Sequence, residues 1–184
     1  RPMRRIIAPL ASMGADVATL GPEGTPPLTV RAARGRLRGH THVLPVASAQ
    51  VKSCLLLAGL AAEGATVVEE PLPSRDHTER MLPVFGVTVR RPAPNRCALD
   101  GPARLASPGA LGVPGDFSAA FFWLVAGTIA PAGELVLPGV GLNPGRIGGL
   151  TVLRRMGAAI TVSNRRTEGG EPVGDLTVHP ARLT

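Results

Sequence analysis

Leu150-Thr151-Val152-Leu153-Arg154-Arg155-Met156-Gly157-Ala158-Ala159-Ile160-Thr161-Val162 spells a short amphipathic helix, a glycine stop and a strand. The same order is written twice more, as Arg5-Ile6-Ile7-Ala8-Pro9-Leu10-Ala11-Ser12-Met13-Gly14-Ala15-Asp16-Val17 and as Glu79-Arg80-Met81-Leu82-Pro83-Val84-Phe85-Gly86-Val87-Thr88-Val89. The glycines stand at 14, 86 and 157, 72 and then 71 residues apart, and three matches at so even a spacing identify a repeated unit. A second element repeats with nearly the same period. A helix over 48–62 ends in Ala61-Ala62-Glu63-Gly64-Ala65 before the strand Thr66-Val67-Val68-Glu69, and a helix over 117–130 ends in Ala130-Pro131-Ala132-Gly133 before the strand Glu134-Leu135-Val136-Leu137. Both helices are apolar nearly all round, which predicts burial. Further strands are expected at 28–31, 42–44, 96–99 and 176–178. The architecture is α/β with a unit of about seventy residues. It lacks the strict strand–helix alternation of a doubly wound sheet, and its period is too long for the common solenoids.

The mouth of the first apolar helix, Val46-Ala47-Ser48-Ala49-Gln50-Val51-Lys52-Ser53, carries small polar residues. Free N–H groups and the positive end of the helix dipole suit an anion there, and Ser48 suits an ordinary N-cap equally well. A chain of 184 residues makes one large domain or two small ones, and 44% hydrophobic content is enough for a core. Aromatics are only 3%, with no Tyr, which argues against a single-stranded nucleic-acid platform built on stacking. The net charge of +7 comes almost wholly from Arg, a fork for carboxylates and phosphates or a solvated surface. Two cysteines, Cys54 and Cys97, form no disulfide framework, and neither they nor the four His show metal spacing. No apolar run reaches transmembrane length and no signal peptide opens the chain, so the expected compartment is the cytoplasm. A first residue of Arg1 rather than Met reads as an internal piece of a longer protein.

Local words make a specific resemblance. Arg1-Pro2-Met3, the run Ser48 to Lys52, Ser74-Arg75-Asp76-His77-Thr78-Glu79-Arg80-Met81-Leu82, Val113-Pro114-Gly115-Asp116 and Leu142-Asn143-Pro144-Gly145-Arg146 follow one another in the order found in the enolpyruvyl transferase family. Within it they resemble the enolpyruvylshikimate-phosphate synthases in their bacterial class II form. The resemblance implies a fold of repeated βαββαββ units with buried helices, arranged as inside-out α/β barrel-like domains. It implies that residues 1–113 are most of one domain and that 114–184 are the first unit of the other domain, resumed. The implied reaction moves the enolpyruvyl group of phosphoenolpyruvate to the 5-hydroxyl of shikimate-3-phosphate and releases phosphate, with no metal or organic cofactor. That step serves chorismate and aromatic amino-acid biosynthesis. The implied partners are those two small molecules, with no nucleic acid and no membrane, in a monomeric parent. The family's acid/base segment lies in stretches that this sequence does not contain. No catalytic residue is therefore expected here, and the chain alone is expected to be inactive.

The resemblance also implies roles residue by residue. Ser48 and Ala49 match the pair that holds the phosphate of shikimate-3-phosphate, Gln50 the residue that touches both substrates, Ser74 and Arg75 further phosphate and shikimate contacts, and Arg1 a phosphoenolpyruvate contact. Asp76 and Glu79 read as an N-cap with its capping box, Asp116 as the cap of helix 117–130, and Arg146 as a supporting or surface residue. Lys52 and His77 receive no role. One alternative is the sister transferase acting on UDP-N-acetylglucosamine, which uses a loop cysteine; Cys54 and Cys97 do not sit in such a pattern. Another is a basic, non-enzymatic nucleic-acid or interaction module, which a pI near 11.3 permits although the Arg are scattered.

Overall fold

The computed structural model describes residues 3–31 and 35–184. α1 (Arg4–Ser12) stops at Gly14 and leads into β1 (Asp16–Thr19), which pairs antiparallel with β2 (Leu28–Arg31). β3 (Thr41–Val43) runs parallel to β4 (Gly64–Glu69), with α2 (Ala49–Gly59) crossing between them. α3 (His77–Val84) then leads to β5 (Arg90–Ala93) and β6 (Arg96–Gly101), giving one sheet of order β3-β4-β6-β5. After the second apolar helix, α4 (Phe117–Ile129), come β7 (Leu135–Gly141), α5 (Gly148–Arg155), β8 (Ala159–Glu168) and β9 (Glu171–His179), in a sheet of order β7-β9-β8. A parallel bridge from Gly115 to Val140 stands there where β3 stands beside β4. The chain divides between Ser107 and Pro108 into two compact units.

The three repeated glycines have one physical reason. Gly14, Gly86 and Gly157 sit at φ +94°, +82° and +97°, a left-handed conformation that side chains other than glycine's resist. Each closes its helix in the same motif. Ala15, Val87 and Ala158, one past the glycine, donate back to Leu10, Leu82 and Leu153 at 3.0, 3.1 and 3.0 Å. Those contacts bring buried Leu82 and Leu153 onto buried Val87 and Ala158 and so tie each helix end to its own core. The first unit packs Met13, Leu55, Leu56, Val68, Leu82 and Leu99 together. The second packs Leu124, Leu142, Leu150, Leu153, Ile160, Leu176 and Val178.

Two expectations are revised. Val87-Thr88-Val89 is not a strand; Val87 spends its N–H on the helix stop, and ladder pairing begins at Arg90. The helix expected to be covered on all sides, α4, buries Phe117, Ala120, Leu124 and Thr128 but leaves Phe122, Trp123 and Ile129 exposed at 77%, 60% and 68%. One unit presents a single sheet, so it can cover one face of such a helix and no more.

Leu82→Ala should cost about 2–5 kcal/mol by urea denaturation of the chain, because the side chain is almost wholly buried. Gly14→Ala should cost about 1–2 kcal/mol through its φ alone, although no atom lies within 4 Å of the added methyl.

Candidate functional site

Ser48 caps α2 in an extended conformation, its side-chain oxygen accepting from the Val51 N–H at 3.4 Å. Its own N–H donates to Glu70 Oε1 at 2.7 Å, just past the end of β4. The other oxygen of the same carboxylate accepts from Ser74 Oγ at 2.7 Å, in the loop before α3. Lys52, one turn into α2, reaches that oxygen too at 2.9 Å and Glu79 Oε1 on α3 at 2.8 Å. All three charged residues are buried. Asn95 fastens the Glu70 backbone from both sides, donating from Nδ2 to its carbonyl and accepting its N–H. A contact between the Ser53 and Thr78 hydroxyls, 2.6 Å apart, ties α2 to α3 directly.

Ser48 and Ser74, far apart in the sequence, therefore meet on one carboxylate. The N–H groups of Ala49 and Gln50, in the open first turn of α2, find no acceptor among the described residues, as helix starts leave them. The Gln50 side-chain Oε1 accepts from Arg5 of α1 at 3.0 Å. Arg75 is exposed, and among the described residues its guanidinium has no hydrogen-bond or ion-pair partner. Arg1 lies outside the described residues. Beside Ser48, α1 and β3 enclose a cavity of about 650 Å³, with Arg4, Arg5, His40 and His42 in its wall. Asp116 does cap α4, accepting from Ser118 N–H at 3.1 Å, and it holds Arg146 at 2.7 Å.

The capping box is corrected. Asp76 makes no side-chain cap bond; it pairs with Arg80 and Arg91 at 2.8 and 2.7 Å, while Glu79 turns to Lys52. A buried ammonium with two carboxylates in reach outcompetes a backbone N–H. Glu70 was missed outright, and Lys52 had no role. One signal was available: Lys52 is the only lysine in the chain, against nineteen arginines. A compact ammonium fits between two carboxylates where a planar fork does not.

Burial opposes the charge on Glu70, but hydrogen bonds from Lys52, Ser74 and the Ser48 N–H outweigh it and hold the carboxyl below its ordinary 4.5. Burial opposes the Lys52 ammonium as well, and the bonds to Glu79 and Glu70 outweigh it and raise Lys52 above 10.5. The thiols are not primed as nucleophiles. Burial raises Cys54, and burial together with Glu79 pushes Cys97 up to about 12. Among the described residues no His, Cys, Asp and Glu group could hold a metal, and no helix is long and apolar enough to cross a membrane.

The repeated unit, with its parallel crossover around an apolar helix and its antiparallel return, defines the α/β enolpyruvyl transferase fold. A solved EPSP synthase from Acinetobacter baumannii superposes with a TM-score of 0.87 at 47% identity, over 97% of this chain and 40% of that one. A family model described as EPSP synthase (3-phosphoshikimate 1-carboxyvinyltransferase) matches residues 1–182. The chain belongs to the EPSP synthase family. It is 53% identical over 183 residues to the 3-phosphoshikimate 1-carboxyvinyltransferase of Alkalilimnicola ehrlichii and 52% identical over 184 to that of a Synechococcus. All of this chain is covered in both matches, but it spans only 40% and 41% of those relatives.

The pKa directions set a pH dependence. Folding lowers the Glu70 pKa, so its stabilisation is complete above 4.5 and is lost as pH falls through the depressed value. Folding raises that of Lys52, so its stabilisation is complete below 10.5 and is lost as pH rises through the raised value. In urea denaturation across pH, Glu70→Gln should show a shallower acid-side decline than the wild type, and Lys52→Met a shallower alkaline one.

Proposed function

We propose that this chain is the shikimate-3-phosphate-binding part of a 3-phosphoshikimate 1-carboxyvinyltransferase, the enzyme that moves an enolpyruvyl group from phosphoenolpyruvate to the 5-hydroxyl of shikimate-3-phosphate. The observation that carries this reading is the meeting of Ser48, at the mouth of α2, and Ser74, in the loop before α3, on one buried carboxylate, with Arg75 next in the chain and unpaired among the described residues. The open N–H groups of Ala49 and Gln50 and the end of the α2 dipole favour a phosphate at that mouth. Arg75 supplies a planar fork for it.

The repeat gives this an internal contrast. Arg75 and Arg146 stand 71 residues apart, the spacing of the second and third glycine stops. Arg146 is held by Asp116, a carboxylate of its own chain, whereas Arg75 has no such partner among the described residues, which favours its use for an external anion. Gln50, an amide that can both donate and accept, is proposed to touch both substrates, and Arg1 is proposed to meet phosphoenolpyruvate. On this reading residues 1–113 are most of one domain and 114–184 open the other, resumed. The acid/base groups come from stretches outside this sequence, no metal or organic cofactor takes part, and the enzyme works in the cytoplasm.

In the full-length protein, Arg75→Ala should weaken shikimate-3-phosphate binding at least tenfold, about 1.4 kcal/mol, with the fold unchanged by circular dichroism. Titration calorimetry showing the wild-type affinity would remove Arg75 from the site. The 184-residue chain alone should release no phosphate from the two substrates above a no-protein control.

A further inference from the structure

We infer that Glu70 is a positioning residue for the phosphate site, and that Lys52 and Glu79 form the buried counter-pair that holds it in place; the inference rests on the reading of Ser48 and Ser74 given above. The carboxylate is the shared acceptor of the Ser48 N–H and the Ser74 hydroxyl, at 2.7 Å each, so it fixes the distance between the mouth of α2 and the loop before α3. Glu70 is only 2% exposed, and solvent cannot replace what it does. Its charge is met by Lys52, which Glu79 also binds. Glu79 Oε2 is buried and has no hydrogen-bond partner among the described residues.

Stability does not explain this arrangement. Two acids on one base leave an uncompensated negative charge in the interior, and well-packed apolar groups generally serve as well or better. The chain supplies that comparison itself. Counted from the helix-ending glycines Gly64 and Gly133, Lys52 corresponds to Phe121; counted from Gly86 and Gly157, Glu79 corresponds to Leu150. In the second unit Phe121 packs against the apolar core and Leu150 is buried in it. The same unit thus folds with an apolar contact between its two helices. The charged version occurs in the unit whose helix mouth and loop carry Ser48, Ser74 and Arg75.

An anion beside an anion site has two opposite readings. As a clamp, Glu70 holds the donors in place and its removal weakens phosphate binding. As a competitor, it occupies the one hydrogen of the Ser74 hydroxyl, and its removal strengthens binding. The geometry points to the clamp. Glu70 engages the backbone of the N-cap residue and leaves the N–H groups of Ala49 and Gln50 open, so the helix mouth stays available while its position is fixed.

The test is steady-state kinetics on the full-length enzyme for wild type, Glu70→Gln, Ser74→Ala and the double variant. Glu70→Gln should raise KM for shikimate-3-phosphate about tenfold while KM for phosphoenolpyruvate and kcat change by less than about threefold. A merely structural role would move both KM values, or only the amount of active enzyme. The double variant should fall short of the product of the two single effects, because both substitutions break the same Glu70–Ser74 contact. Should Glu70→Gln not fold, Glu70→Asp keeps the charge for Lys52 and withdraws the carboxylate by one methylene, and the same split in KM is expected. An unchanged or lowered KM for shikimate-3-phosphate in the Glu70 variant, with a raised one in Ser74→Ala, overturns the clamp and leaves the phosphate site standing. Unchanged shikimate-3-phosphate binding in both Ser74→Ala and Arg75→Ala overturns the phosphate site, and the clamp with it.

Discussion

The Glu70 carboxylate is the interaction on which the candidate site depends. It takes donors from a helix start, a loop and a lysine one turn into that helix, the first on one oxygen and the other two on the second. Taking a carboxylate out of water costs several kcal/mol, and the hydrogen bonds from these donors more than offset that cost. The requirement works in both directions. The donors hold the charge, and the charge holds the donors at a fixed separation, which is what a preorganised anion site needs before its ligand arrives.

Repetition supplies the scaffold and local substitution supplies the chemistry. Three helices end on glycines of the same handedness with the same backward hydrogen bond, and each return folds a leucine onto its own core. Both apolar helices begin with a polar cap, Ser48 in one case and Asp116 in the other. An acidic cap satisfies its helix mouth and repels a phosphate, while a hydroxyl cap satisfies one N–H and leaves the mouth attractive to anions. The charge of the cap side chain therefore separates a closed helix start from one open to anions.

Much of this was legible in the sequence because periodicity and glycine punctuation are local. The three glycine stops, the two apolar helices and strand β2 could be placed from residue types alone, and the family resemblance rested on contiguous words. What escaped was non-local. Glu70 sits at a strand end in a run of ordinary acidic and proline residues, and only the fold reveals that it faces Ser48 and Ser74. Glu79 was read as a capping partner because its spacing from Asp76 fits one, yet a lysine from another helix claimed it. Apolar periodicity likewise announced that α4 avoids water on every side, but it could not say which neighbours would cover each face.

The place of the lone lysine has a practical side. Lys52 carries the only ε-amine in this sequence, and its side chain is 5% exposed, between two carboxylates. Acylating reagents that modify lysine need a neutral, accessible amine, and here the group is both sheltered and held in its charged form. Covalent labelling at this nitrogen thus reports the opening of the network around Glu70, one event at one atom, against a background of arginines that do not react.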